Sequence, residues 1–126
     1  IQEFLDMNHG PGVQHLALTT NNIADTLGKL KKEGLEFLSV PRTYYEAVPK
    51  RVPHLKENLS EMADLDILID GNDKGYLLQI FTKNVVGPFF YEVIQRCGDN
   101  GFGEGNFTAL FEAIERDQIA RGVLKP

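Results

Sequence analysis

The chain has 126 residues, of which 42% are hydrophobic and 25% are charged, so it has enough apolar material for one globular domain with one core. Its net charge is -5, and its lysines and arginines form no cluster that could neutralise a row of phosphates, which excludes nucleic acid as an expected partner. A single cysteine excludes an internal disulfide framework, and the lack of a long apolar run or a signal-peptide pattern predicts a cytoplasmic protein without a membrane partner.

The first half of the chain predicts a strand, a helix and a second strand. Residues 12–20 alternate in the manner of a strand. Asn22 then precedes an apolar stripe at helical spacing, and Gly34 stands where the end of a helix favours a left-handed residue. Residues 35–40, LEFLSV, predict another strand. The segment 43–64 contains prolines and a weaker apolar stripe, which predicts an inserted loop with a short helix.

The second half predicts three strands and a final helix. The strands cover residues 65–70, 76–83 and 89–96, and their short connections favour antiparallel neighbours. A glycine-rich segment then leads to Asn106, a plausible helix N-cap, and an apolar stripe at helical spacing runs toward Gly122. The resulting fold class is α+β, in the order strand, helix, strand, insert, three strands and helix.

Polar side chains interrupt the apolar faces of these predicted strands. His15 lies within the strand GVQHLAL, and Glu92 shares a strand face with Phe90 and Ile94. An ionised carboxylate in such surroundings needs a cation, a metal or a proton. Gln79 adds an amide on the middle strand. An imidazole and a carboxylate on adjacent strands, with an amide nearby, suit a divalent first-row metal.

The same residues also have interpretations that involve no metal. A single strand histidine such as His15 is more often hydrogen-bonded in the core or at the surface. Glu92 could pair with Arg96 or face water, and Gln79 could be a satisfied buried amide. The other two histidines, His9 and His54, lack an apolar strand context and are predicted to be solvated.

Five stretches of the chain, in order, resemble the C-terminal half of 4-hydroxyphenylpyruvate dioxygenase. They are GVQHLAL, LEFLSVPRTYY, KGYLLQIFTK, YEVIQR and GFGEGNFTALFEAIERDQIARGVL. The resemblance implies one βαβββ module of the vicinal oxygen chelate superfamily, with a curved mixed sheet that holds a metal in its cup. Residues 1–126 are then expected to be a single domain, the C-terminal catalytic module of a longer two-module enzyme, and an incomplete piece of it.

This resemblance implies a non-haem Fe(II) site with two histidines and one glutamate. His15 corresponds to the second histidine and Glu92 to the carboxylate. The first histidine is expected from the upstream module, because nothing in this chain matches it. The chain therefore carries two of three protein ligands, and we expect the isolated chain to be inactive.

The resemblance also implies the residues of the pocket. They are three amides that hydrogen-bond substrate or bound water and assist catalysis, and three aromatic side chains that bind substrate: Gln14, Gln79 and Asn106, with Phe81, Phe102 and Phe107. The last two rings resemble a pair that sandwiches the substrate ring, although Phe107 also fits the core stripe of the final helix. That helix, over residues 106–122, is implied to act as a gate.

The activity implied is the conversion of 4-hydroxyphenylpyruvate and O2 to homogentisate and CO2, in tyrosine and phenylalanine catabolism. The full-length enzyme is expected to be a homo-oligomer whose partners are the aromatic 2-oxo acid and O2. Two alternatives remain open. One is hydroxymandelate synthase, which uses the same substrate and iron. The other is a non-catalytic binding module of the glyoxalase and bleomycin-resistance type.

Overall fold

The computed structural model describes residues 1–122 and, within the last helix, leaves the side chains of residues 111, 113–115 and 117 undescribed, so part of the predicted final stripe lies outside it. In chain order the elements are α1 (Gln2–Asn8), β1 (His15–Thr19), α2 (Ile23–Lys32), α3 (Thr43–Glu46), α4 (Val48–Arg51), α5 (Leu59–Asp64), β2 (Leu68–Gly71), β3 (Tyr76–Phe81), β4 (Phe90–Cys97) and α6 (Gly105–Ala120). None of the helices formed by residues 1–122 has the length and apolar character needed to cross a bilayer.

The four strands form one mixed sheet in the order β1-β4-β3-β2. The pairs β2–β3 and β3–β4 are antiparallel, which confirms the prediction from their short connections, and β1 pairs with β4 in parallel. Ala17 lies opposite Glu92 on one side, and Phe81 lies opposite Glu92 on the other. Since paired residues share a sheet face, the alternation on each strand places His15 and Gln79 on the face of Glu92.

Helix α2 covers the opposite face of the sheet. It buries Ile23 and Leu27 in a core cluster with side chains that include Ile80 and Val93. The helix begins as the sequence predicts, because Asn22 accepts a hydrogen bond from the backbone N–H of Asp25 at 3.1 Å. The apolar core therefore lies behind the sheet, and the polar residues keep the other face.

The structure corrects the predicted strand at residues 35–40. Only Phe37 forms a bridge there, with Thr82. The backbone N–H of Val40 donates instead to the carboxylate of Asp66 at 3.0 Å, so the pairing ends. The strand predicted from residue 65 begins only at Leu68, because Asp66 has a φ of 58° and lies in the turn that follows α5.

The segment 43–64 is more ordered than the prediction of a loop with one short helix. It forms α3, α4 and α5, and it buries Tyr44 and Tyr45 against the outer side of β2. Helix α1 at the start of the chain was not predicted; it has no side-chain cap and buries no residue. His9 and His54 are exposed, as predicted.

Candidate metal centre

His15 and Glu92 come together at the junction of β1 and β4. The His15 Nε2 atom lies 3.6 Å from Glu92 Oε2, and the side chains are 36% and 2% exposed. The imidazole stacks on the Phe90 ring, with centroids 4.9 Å apart and planes 9° from parallel, while Phe81 meets it edge-on at 6.5 Å. Two aromatic rings therefore fix the ring plane of His15 beside the carboxylate.

Gln14 lies at the other nitrogen of the His15 ring. Its Oε1 atom is 3.2 Å from His15 Nδ1. With this oxygen as the acceptor, Nδ1 carries the proton and Nε2 keeps its lone pair, which is the tautomer that binds a metal through Nε2. Gln14 thus prepares His15 for the role that the sequence predicts.

The carboxylate of Glu92 is held in an apolar setting. Burial raises its pKa, while the hydrogen bond from Gln79, the charge that His15 carries when it is protonated and the charge of Arg96 act in the opposite direction. Gln79 Nε2 donates to Glu92 Oε1 at 2.5 Å and so leaves Oε2 directed toward His15. A bound cation would compensate the buried negative charge.

An imidazole nitrogen and a carboxylate oxygen side by side suit a divalent first-row metal such as Fe(II), and they fit two of its coordination positions. Among residues 1–122, no cluster of three or more histidine, cysteine, aspartate or glutamate side chains is placed to hold a metal ion. His15 and Glu92 are the pair that the sequence predicts as metal ligands, and the structure brings them together.

A buried chain of hydrogen bonds extends from Glu92 through two amides. Asn106 Nδ2 donates to Gln79 Oε1 at 2.6 Å, and the hydroxyl of Tyr44 donates to Asn106 Oδ1. Gln79, Asn106 and Tyr44 are 1%, 4% and 0% exposed. Gln79 Nε2 also donates to the backbone carbonyl of Phe102 at 3.2 Å. We call Gln79 and Asn106 the amide relay.

The predicted role of Asn106 as a helix cap is wrong. Helix α6 begins at Gly105, and the backbone N–H of Gly105 donates to Asp70 on β2 at 2.8 Å. This distant carboxylate serves the start of the helix, so the Asn106 side chain is free to point inward to Gln79. Sequence reasoning had no means of seeing Asp70 as the partner, since it lies 35 residues away.

Glycines let the segment before α6 approach the relay closely. Gly103 has a φ of +79°, and a Cβ atom there would overlap the Gln79 side chain; a Cβ at Gly105 would overlap the Asp70 carboxylate. Glycine has no Cβ, so it can adopt the positive φ at position 103 and allows the close contacts at both positions. The cluster GFGEG was therefore a usable sign of close backbone approach. No comparable sign marked Tyr44, which sits in the segment interpreted as an insert.

The remaining predicted aromatic residues are more open. Phe102 is 58% exposed and Phe107, in the first turn of α6, is 75% exposed. The guanidinium of Arg96 lies over the Phe102 ring, 4.7 Å from its centroid. Both rings thus present apolar surface that these 122 residues leave uncovered, and their assignment to substrate remains a prediction.

The chain is similar to known enzymes over nearly its whole length. No family model matches the chain. It is 57% identical over 128 residues to 4-hydroxyphenylpyruvate dioxygenase of Legionella pneumophila (strain Corby), covering 99% of the chain and 37% of that protein. The same-named protein of Pseudomonas aeruginosa is 56% identical over 126 residues, with 98% and 35% covered.

A solved structure is also similar. A triple mutant of 4-hydroxymandelate synthase from Streptomyces coelicolor matches with a TM-score of 0.73 and 39% identity, over 92% of this chain and 33% of that one. The chain spans little more than a third of the length of the curated relatives named above. The resemblance seen in its sequence is confirmed: the chain is a homologue of the 4-hydroxyphenylpyruvate dioxygenases over that part of their length.

Proposed function

We propose that this chain is the iron-binding module of a non-haem Fe(II) dioxygenase that converts 4-hydroxyphenylpyruvate and O2 to homogentisate and CO2 in tyrosine catabolism. One observation carries the proposal. The parallel pairing of β1 with β4 sets His15 Nε2 3.6 Å from a buried carboxylate of Glu92, which a hydrogen-bonded amide holds in place. The similarity to enzymes of that name supports the same conclusion.

In this proposal His15 and Glu92 hold the iron, and a histidine from outside this chain completes the set. Bound Fe(II) supplies a Lewis acid for the 2-oxo acid and electrons for O2. The protein's own work is to hold the ligands: Gln14 sets the His15 tautomer, and Gln79 holds one oxygen of Glu92. Gln14, Gln79 and Asn106 are also the groups we assign to hydrogen-bonding the substrate or water.

The aromatic residues would bind the substrate ring. Phe102 and Phe107 offer exposed rings, and Phe81 lies on the face that carries His15. Stacking of a ring on each would add about 1 kcal/mol beyond the burial of apolar area. We assign residues 106–122 to closing the pocket. Gly105 and Asn106 are bonded to Asp70 and Gln79, and Arg116 Nη2 donates to the backbone carbonyl of Thr43 at 2.7 Å, so these contacts hold the helix in place.

The wider assignments rest on the same proposal. The partners of the full-length protein would be a small aromatic 2-oxo acid, O2 and further copies of itself, in the cytoplasm, with neither nucleic acid nor membrane. The acidic composition and the absence of a lysine and arginine cluster support the exclusion of nucleic acid.

A hydroxymandelate synthase is the second candidate, favoured by the structural match to an enzyme of that kind. The names of the two relatives at 57% and 56% identity favour homogentisate as the product. A non-catalytic binding module of the glyoxalase and bleomycin-resistance type would have no use for His15 and Glu92 as paired metal donors.

The test places these 126 residues in the Legionella pneumophila relative, in exchange for the segment they match. The chimera, its parent and the isolated chain are incubated with 4-hydroxyphenylpyruvate, Fe(II), ascorbate and air, and the products are separated by chromatography. We expect homogentisate from the chimera and the parent, and none from the isolated chain.

Each other outcome has a defined meaning. Hydroxymandelate from the chimera would select the second candidate. A folded chimera that binds no Fe(II) and makes no product, beside an active parent, would overturn the proposal in favour of a binding module. Homogentisate from the isolated chain would mean that the third ligand comes from within it or from a second copy.

A further inference from the structure

The amide relay ends at Tyr44, whose hydroxyl oxygen is already fully used as an acceptor. The backbone N–H of Ile69 donates to it at 2.7 Å, and Arg51 Nη2 donates to it at 3.0 Å. A hydroxyl oxygen has two lone pairs, so both are occupied. The group can take part in further bonds only by giving away its single proton.

Two acceptors lie within reach of that proton. They are the backbone carbonyl of Ile69, at 2.9 Å, and Asn106 Oδ1. The carbonyl of Ile69 already accepts from Arg51 Nη2 at 2.9 Å and is satisfied without the tyrosine proton. Among the described contacts Asn106 Oδ1 has this hydroxyl as its donor, and a buried amide oxygen left without a donor costs free energy. The proton therefore goes to Asn106. Burial also raises the pKa of Tyr44, which keeps the hydroxyl protonated.

This choice sets the direction of both amides. The oxygen and nitrogen of an amide have similar shapes but opposite hydrogen-bonding roles, so either side chain would fit after a 180° flip. With Oδ1 of Asn106 facing Tyr44, its Nδ2 faces Gln79, and Gln79 Oε1 accepts from it. Gln79 Nε2 is then the end that reaches Glu92.

The donors at Tyr44 fix the direction of these hydrogen bonds. A backbone N–H, such as that of Ile69, is only a donor, and so is the guanidinium of Arg51. A reversed relay would bring Asn106 Nδ2 to the Tyr44 hydroxyl as a third donor for two lone pairs, and it would set Gln79 Oε1 against Glu92 Oε1 at a separation of 2.5 Å. Two acceptors at that distance repel each other.

We propose that Tyr44 and Arg51 are positioning residues for the carboxylate of Glu92. They set the direction of the amide relay, so that an N–H of Gln79 always faces Glu92 Oε1 and Glu92 Oε2 stays beside His15. The link to metal binding rests on the proposed function, whereas the direction of the relay does not. The segment 43–64, which supplies both residues, thus acts on the carboxylate of Glu92 through the two amides of the relay.

The chain offers a matched control in Tyr45. Its side chain is also buried, and its hydroxyl donates to the backbone carbonyl of Ile67 at 2.9 Å, as Tyr44 reaches Ile69 on the same strand edge. No bond joins Tyr45 to the amide relay among the described contacts. Tyr45→Phe therefore removes a buried hydroxyl that is bonded to the same strand edge, but leaves the relay intact.

The first experiment compares Tyr44→Phe and Tyr45→Phe in the 126-residue chain. The side-chain amide signals of Gln79 and Asn106 are followed by ¹H–¹⁵N NMR, together with their exchange with water. We expect one slowly exchanging set in the native chain and in Tyr45→Phe. In Tyr44→Phe both amides should shift, exchange faster or double. Equal changes in the two variants, or none in Tyr44→Phe, would overturn the inference.

The second experiment measures Fe(II) affinity in the chimera by competition with a chelator. Loss of an outer partner of a metal ligand typically weakens binding by about 10–100-fold, and we expect at least about a tenfold loss for Tyr44→Phe. Tyr45→Phe should change affinity by less than about twofold, a change on the scale of a few tenths of a kcal/mol. Equal losses in both variants would mean a merely structural role.

Arg51→Met provides a second route if Tyr44→Phe does not fold. It frees the carbonyl of Ile69 to accept the Tyr44 proton, so the amide signals of Gln79 and Asn106 should double, and unchanged signals would overturn the inference. The two proposals fail separately. A chimera without homogentisate would defeat the proposed function but leave the NMR result standing, while homogentisate with an unresponsive relay would defeat only the inference.

Discussion

The two edges of the sheet have opposite surroundings. At the β2 edge, Leu68 and Ile69 are 3% and 0% exposed, and tyrosine hydroxyls from α3 bond the backbone of that edge. At the β1 edge, Leu16 and Leu18 are 50% and 51% exposed. No strand among residues 1–122 pairs with the outer side of β1. One edge is covered by the chain itself, and the other is open.

The candidate metal centre and its hydrogen bonds extend from the covered edge to the open edge of the sheet. Its supporting hydrogen bonds start at the covered edge, with Tyr44, and its exposed ligand, His15, lies on the open edge. Of the two candidate metal donors, Glu92 is the one that the hydrogen bonds from the covered edge support. An unpaired strand edge with exposed apolar side chains is a feature of interaction surfaces.

The largest expected effect comes from removing the supported ligand. Glu92→Ala in the chimera should abolish turnover through metal loss, by more than about 100-fold, since even an outer partner contributes about 10–100-fold. Glu36→Ala is the matched control, because it removes an exposed carboxylate paired with Lys83 at 2.9 Å. Iron content and homogentisate formation measure both. Normal iron and rate in Glu92→Ala would refute the ligand assignment.

The next prediction compares how much a buried side chain at the covered edge and a half-exposed one at the open edge contribute to the free energy of unfolding. Ile69→Ala removes a fully buried side chain and should lower the free energy of unfolding by about 2–5 kcal/mol. Leu18→Ala, on the half-exposed edge, should lower it by about 0.5 kcal/mol or less. Urea unfolding of the 126-residue chain measures both. Similar losses would show that the two edges do not differ in the way described.

A smaller effect concerns α5, the helix that directly precedes β2. Asn58 caps α5 by accepting from the backbone N–H of Glu61 at 3.0 Å, and Asn58→Ala should lower stability by about 1 kcal/mol. Asn22→Ala removes the matching cap of α2. Hydrogen exchange at the Ile69 amide should accelerate more with Asn58→Ala. Equal acceleration by both variants would mean that α5 does not protect the covered edge.

The last prediction concerns whether the stability of the chain rises or falls with pH. Burial raises the folded-state pKa of Glu92 above its unfolded value, so the folded chain binds more protons as this group titrates. In the absence of metal, stability should therefore fall as the pH rises through that window and stay lower above it. Glu92→Gln should be more stable than the native chain at pH 7, with the advantage disappearing toward pH 4. An advantage that grows in acid would contradict the burial effect.

Local patterns were enough for most of the fold. The Asn22 cap, the alternation of residues 12–20 and the short connections predicted α2, β1 and the antiparallel pairs. The prediction of a strand at residues 35–40 was wrong because the carboxylate of the distant Asp66 accepts the hydrogen bond from the backbone N–H of Val40. That competition depends on tertiary structure, which no window of sequence contains.

The candidate site was predictable in part for the same reason. His15 and Glu92 stand out as polar residues on apolar strands, but their proximity depends on a parallel pairing between distant segments. The resemblance assigned both residues to one metal site, and the structure supplied the pairing. The amide relay could not be predicted from the sequence. Tyr44 and Asn106 are 62 residues apart, and an asparagine ahead of an apolar stripe is ordinarily a cap.

The bond between Tyr44 and Asn106 has a consequence for the order in which the chain folds. A contact across 62 residues closes a long loop, so we expect it to form after the local hairpin of β2 and β3. Gln79 and Glu92 would therefore stand open to water until residues 102–106 arrive. During that interval an ion could reach the Glu92 carboxylate from the side that residues 102–106 later cover.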